Sequence, residues 1–359
     1  MLLSTSSSEG IQTRILPKAS LVAPLLLAIG VCSALLIAWE MFWRSEGAVP
    51  SYRNSDELWS KERRRINEGD GHLPVIAGSS RVLFNIDLDT WERLTGERPI
   101  QLGLEGTSPV SMVEGLANDP DFTGDLLIGV SPVPLFGGLD TRGKAVMGYK
   151  RTSYSARAGQ WLSELLEPYL AFYHKDYALF QIIKRQPLPN RDGVSIRMGV
   201  RRLTVMDQDR NTRLWWRVES DPEYRDLARS IWAQRFPRDG KLPPPVVEFM
   251  TSKIENSLER MQKAVNTLHQ RGVKVTFLQS PASGGFLELE QLLYPRESTW
   301  QILLAETGSE GFHWEDHPGL QGYELPEYSH IASGERERFT TEVLRLMGKI
   351  PQVKTAAGE

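Results

Sequence analysis

The sequence predicts an α/β fold: a doubly wound, three-layer parallel sheet with a helical insertion, behind one N-terminal transmembrane helix. Three observations carry this. Short apolar runs alternate with amphipathic helical patterns over 74–130. The same alternation resumes after 245. Before either, 21 residues pass without a charge, from Ala19 to Trp39. About 20 apolar residues at helical rise cross a bilayer core.

The elements follow in order. Residues 1–18 are polar and Ser/Thr-rich and read as a cytoplasmic tail. Residues 19–43 form the span, with Trp39, Phe42 and Trp43 as an interfacial aromatic belt. No A-x-A-like cleavage site follows the run, and it is long for a signal-peptide core. Cys32 lies mid-run after Val31, which does not fit a lipoprotein. Basic residues nearly balance across the span, with Arg14 and Lys18 before it and Arg44 and Arg53 after it. A short tail ahead and a large domain behind favour an outward-facing domain. Residues 44–71 are expected as a juxtamembrane connector, with "DELWSKERRRINEGDG" as a charged helix.

The domain is expected over 72–348, leaving 349–359 as a tail. Its strands are expected at 74–77, 99–104, 125–130 and 273–279. Helices are expected at 87–94, stopped by Gly96, and from Ser108–Pro109 to about Asn118, with Ser as N-cap and Pro at N1. This βαβαβ order argues for a parallel sheet with helices on both faces. Regularity lapses over 137–245, read as a helical insertion outside the sheet. Then Val247, Met250, Ile254, Leu258, Met261, Val265 and Leu268 recur at steps of three or four, giving one helix face. A last helix is expected at 335–347.

Composition excludes some classes. Net charge is −3, so nothing global favours nucleic acid. With Cys32 as the one cysteine, no intramolecular disulfide or Cys-rich metal motif can form. Nine Lys/Arg against three Asp/Glu fall in 184–217, beside Trp215 and Trp216. Such a run could meet an anionic glycan or lipid headgroups, but it is more often a solvated face.

Ligands of a parallel sheet gather at the carboxyl ends of its strands. Three such ends are "GSSR" (78–81), "GLEGTSP" (103–109) and "GVSP" (129–132). The first is neither a G-x-S-x-G elbow nor a Walker A loop. A serine hydroxyl there needs an imidazole to take its proton and a carboxylate to fix the imidazole. Of six histidines, His330 has Glu327 three residues before it and a helix just after. His72 lies before the first strand, and His174 and His269, in helical stretches, read as surface or packing residues. His313 and His317 frame "HWEDH", which lacks the zincin Glu and any third ligand, so no metal is expected there.

"GSSR", "GLEGTSP" and the late acidic-x-x-His resemble the SGNH, or GDSL-like, hydrolase superfamily. The membrane-anchored layout is similar to bacterial members that accompany membrane-bound O-acyltransferases in cell-envelope acylation. The resemblance covers 74–132 and 273–347. It implies a flavodoxin-like fold with Ser80 as nucleophile, His330 as base and Glu327 orienting it. It implies an oxyanion hole from Ser80 and Gly106 with Ser131. Ser79 and Glu327 stand where the family usually has Asp, and Ser131 where it has Asn. The implied activity is an esterase or O-acyltransferase acting on acyl groups of a cell-envelope polysaccharide. No metal or organic cofactor is implied. The implied partners are an acylated glycan or small acyl ester, a membrane-bound O-acyltransferase, and the membrane through 19–43. The implied location is the bacterial inner membrane, with the domain periplasmic or extracellular. A non-catalytic SGNH-like accessory protein, binding glycan or scaffolding the acyltransferase, is the alternative. An unrelated binding domain on a flavodoxin-like sheet is a third.

Overall fold

Strands buried on both faces must be apolar at consecutive positions. The runs at Val75–Gly78 (β1), Leu126–Val130 (β3) and Val275–Gln279 (β6) are buried at every residue. The computed structural model describes residues 20–184, 202–234, 236 and 244–351. In it these strands join Ile100–Gln101 (β2) and Glu310–His313 (β7) in one parallel sheet of order β2-β1-β3-β6-β7. The four expected strands are therefore neighbours in one sheet, with the one expected at 99–104 reduced to Ile100–Gln101. Thr204–Met206 (β4) and Thr212–Leu214 (β5) pair antiparallel outside it, within the insertion.

Alternate side chains feed two apolar layers. Val75, Ala77, Leu126, Ile128 and Phe277 meet the helices Val110–Ala117 and Pro244–Gln270. Ile76, Leu127 and Leu278 meet the helices Leu88–Thr95 and Arg336–Leu346 on the other side. The layers are thus helix, sheet, helix. The helix Leu88–Thr95 ends as expected at Gly96, whose φ of 80° suits glycine. Pro109 stands one position earlier than expected, as N-cap of Val110–Ala117.

Three features depart from the sequence reading. The fifth strand, β7, was not expected. It is a four-residue edge strand, and Gly311 breaks its apolar pattern. The segment expected as a connector is built into the domain. Its helix Asp56–Arg65 buries Leu58 and Trp59, Trp59 Nε1 donates to Leu102 O at 2.9 Å, and Arg63 pairs with buried Asp119 at 2.6 Å. The third concerns the basic run 184–217, part of which lies outside the described residues. Its described arginines are either buried or held in half-exposed ion pairs. Arg202 and Arg210 are buried, Arg213 pairs with Asp207 and Arg217 with Asp221. Trp215 is buried among Leu83, Phe84 and Val218.

The helix Val22–Ser45 is long and apolar enough to cross a membrane, with a mean hydropathy of 2.4 and no burial within its apolar window. Its last turns dock on the domain. Glu40 accepts the backbone N–H groups of Ala171 and Phe172, each at 3.0 Å, and Trp43 packs on Tyr177 at 4.5 Å.

Candidate active site

A chain leaving β1 must turn sharply to start a helix over the sheet. Gly78 takes φ 155°, and Gly129 is its register partner on β3. A Cβ on either glycine would collide with Val82. The glycine pair thus lets the helix Ser80–Asn85 sit close over the strand ends. Ser79 is buried at the turn, while Ser80 opens the helix half-buried.

Positions i and i+4 share a helix face, so Phe84 lies below Ser80. The His330 ring stacks on Phe84, with centroids 4.0 Å apart and planes 21° apart. Two polar contacts hold the histidine's neighbours to this helix. Asn85 Oδ1 accepts the N–H of Ile331 at 3.0 Å, and Arg81 Nε donates to Ser329 Oγ at 3.3 Å. Arg81 also makes a buried two-point pair with Glu290, at 2.6 and 3.0 Å. Arg336 caps the helix end by donating to Phe84 O and Ile86 O, each at 2.7 Å. Burial pushes its guanidinium down to about 10.

Glu327 is fully buried. Its Oε1 accepts from His330 N at 2.8 Å and Ser329 N at 3.3 Å, and meets His330 Nδ1 at 2.7 Å. Its Oε2 accepts from Trp232 Nε1 at 2.8 Å. A carboxylate surrounded by N–H donors accepts only, so Nδ1 carries the ring proton. The lone pair of neutral His330 is then on Nε2, which is buried and has no hydrogen-bond partner.

The turn carrying this pair is strained and braced. Tyr328 has φ 76°, unusual for a side chain of its size. Its carbonyl accepts Ser283 N–H at 2.9 Å, and Arg229 covers its ring at 4.7 Å. Arg229 Nε also donates to Pro326 O at 2.8 Å. Gly284 passes so close to Tyr328 that a Cβ there would collide with the ring.

The other expected residues lie at the same sheet edge. Ser131 stands two residues past Gly129, as Ser80 stands two past Gly78, on adjacent parallel strands. Ser131 Oγ is buried without a hydrogen-bond partner. Leu104 N–H donates to Gly78 O at 3.0 Å, which brings Gly106 two residues beyond that contact. Gly106 has φ 58°, and its carbonyl accepts Thr141 Oγ1 at 3.1 Å. Fully buried Arg210 supports the same loop through Gln101 O and Gly103 O, and burial pushes it down to about 10.

Ser79 Oγ, Ser131 Oγ, Gln279 Oε1 and His330 Nε2 are all buried polar atoms without a hydrogen-bond partner. The first three sit at or just past the carboxyl ends of β1, β3 and β6. The expected contact is absent, however: no hydrogen bond joins Ser80 Oγ to His330 Nε2.

His313 ends β7 and is also buried. Its Nδ1 accepts Glu315 N–H at 3.2 Å, and burial and then Arg296 push it down to about 4. Asp316 is paired with Arg296. Among the described residues, no group of three or more His, Cys, Asp or Glu could hold a metal ion.

Sequence reasoning missed Phe84, Trp232 and the Arg81–Glu290 pair. Phe84 was findable, since it follows Ser80 by four on a helix. Trp232 and Glu290 lie 95 residues before Glu327 and 209 after Arg81, with no local pattern linking either pair. No family model matches this chain, and no curated protein matches it.

Proposed function

We propose that this chain is a membrane-anchored SGNH-like serine esterase or O-acyltransferase on a flavodoxin-like sheet. One observation carries the reading. A buried carboxylate holds His330 Nδ1 at 2.7 Å, leaving Nε2 free on a ring stacked one turn below Ser80. That is the arrangement a serine base needs.

In this reading Ser80 Oγ attacks an acyl carbonyl and its proton passes to Nε2. The N–H groups of Ser80 and Gly106, with Ser131 Oγ, receive the oxyanion. The ester C–O bond then breaks, and Nε2 returns the proton to the departing alcohol. Water or a sugar hydroxyl next takes the acyl group from Ser80. The proposed substrate is an acylated cell-envelope glycan or small acyl ester, with a membrane-bound O-acyltransferase as partner. The domain would face the periplasm or exterior, across a bacterial inner membrane.

The test is a fluorophosphonate probe on the purified full-length protein, read by mass spectrometry. Labelling at Ser80, lost in Ser80→Ala and His330→Ala, is the expected result. Labelling at another serine overturns the assignment.

A second reading has its own observations. Ser80 Oγ makes no hydrogen bond to His330, and Ser131 replaces the family's Asn. Losing an oxyanion donor typically costs ~10²–10³ in rate. Absence of any labelling in folded protein selects a non-catalytic protein that binds glycan or scaffolds the acyltransferase.

A further inference from the structure

A surface helix ordinarily turns its apolar stripe inward. The helix Tyr154–Leu166 does the reverse. Its polar face is buried: Ser163 is 2% exposed, and Glu167, just past the helix, 3%. Arg53 pairs with Glu167, Lys61 with Glu164, and Ser55 Oγ donates to Gln160 at 3.1 Å. Its apolar face looks outward, with Tyr154 90%, Trp161 65% and Leu162 51% exposed. Leu165 continues that face at helical spacing, and Tyr169 follows it. Leu179, Phe180 and Ile183 on the helix Leu179–Lys184 are exposed as well.

Continuity with the apolar N-terminal helix says what covers this face. Between the two exposed stretches, Ala171 and Phe172 donate to Glu40, and Tyr169 O accepts Arg44 Nη2 at 2.9 Å. Leu170 and Phe172 share one apolar groove with Leu36, Ile37 and Met41. The segment therefore meets that helix where its uncharged run ends. With the helix across a bilayer, this is the depth of the lipid interface, where Trp and Tyr concentrate.

We propose that the exposed face of 154–183 lies in the lipid interface of the same membrane, as a second, monotopic attachment beside the span. An amphipathic helix in the interface plane buries its apolar side among lipid and keeps its polar side towards the protein. The domain would then be held at two places and lie close against the bilayer. This goes beyond the proposed ester chemistry and does not depend on it.

The test uses full-length protein in vesicles of phosphatidylethanolamine and phosphatidylglycerol. An environment-sensitive fluorophore is attached to native Cys32 in one sample. In a Cys32→Ser background it is attached at Trp161→Cys, Phe180→Cys or Glu306→Cys. The expected result is blue-shifted emission at 161 and 180, quenched by a doxyl-labelled lipid as Cys32 is, with Glu306 unaffected. These exposed positions tolerate a label without threatening the core. Lipid signal at Cys32 with water-like emission at 161 and 180 overturns the proposal and leaves the span standing. It would assign the face to a protein partner. Water-like emission at all positions overturns span and proposal together.

Discussion

Two buried histidines stand near the carboxyl edge of the sheet, and they are built oppositely. His313 Nδ1 accepts a backbone N–H from Glu315, so its neutral ring keeps its proton on Nε2. His330 Nδ1 meets the Glu327 carboxylate, so its neutral ring keeps its proton on Nδ1 and a lone pair on Nε2. Both rings are shielded by aromatic neighbours, Trp300 and Trp314 in one case and Phe84 in the other. Burial therefore does not separate them. The partner of Nδ1 does, and it makes His330 the one shaped to accept a proton.

The sharpest way to break this contrast is to exchange the partner. Glu327→Ala removes the obligate acceptor and leaves room for water, which can donate to Nδ1. The ring can then adopt the His313 tautomer, with its Nε2 blocked by a proton. Turnover of a small acyl ester, the activity proposed above, is expected to fall by ~10³–10⁴, the scale of a wrong tautomer in a serine triad. His313→Gln should leave turnover within about a few-fold. Equal losses in the two variants would show that the tautomer contrast has no part in the chemistry.

The second prediction concerns stability. His313 is pushed down to about 4 in the folded protein, against about 6.5 when unfolded. Between those values the unfolded chain binds a proton that the folded chain does not. Stability therefore rises with pH across that window and is lost as pH falls from about 6.5 towards 4. The expected loss is roughly 2 kcal/mol, allowing for solvent screening. Urea midpoints of wild type and His313→Gln across pH 4–7 read it. The variant should show a visibly flatter profile. An identical slope in both would assign the acid sensitivity to other groups.

What the sequence made legible follows the range of the interactions. The β1 strand and its turn, the Glu327–His330 spacing and the stop at Gly96 are local, and local pattern exposes them. The long helix was legible because seven apolar positions repeat on one face. β7 was not, because four residues at a sheet edge need little hydrophobic patterning. The segment 44–71 was misjudged because Arg63, Arg64 and Arg65 look solvated in sequence. Arg63 is in fact buried against Asp119, 56 residues away. Trp232 was hidden for the same reason: the insertion reaches the site only through tertiary contact.

The smallest expected effect tests that last point. Trp232 donates its indole N–H to Glu327 Oε2 at 2.8 Å, on the oxygen that His330 does not use. This bond anchors the far side of the carboxylate and resists its rotation away from Nδ1. Trp232→Phe removes the donor and keeps an aromatic ring packed near Phe286. A single hydrogen bond contributes about 0.5–1.5 kcal/mol net, so turnover should fall by roughly two- to ten-fold. The loss should fall on kcat, since Trp232 acts through Glu327 and not on the acyl group. In the Glu327→Ala background, Trp232→Phe should cost little further, because the orienting carboxylate is already gone. Full additivity in that double variant would place the indole's role elsewhere and reduce the insertion to a structural cover.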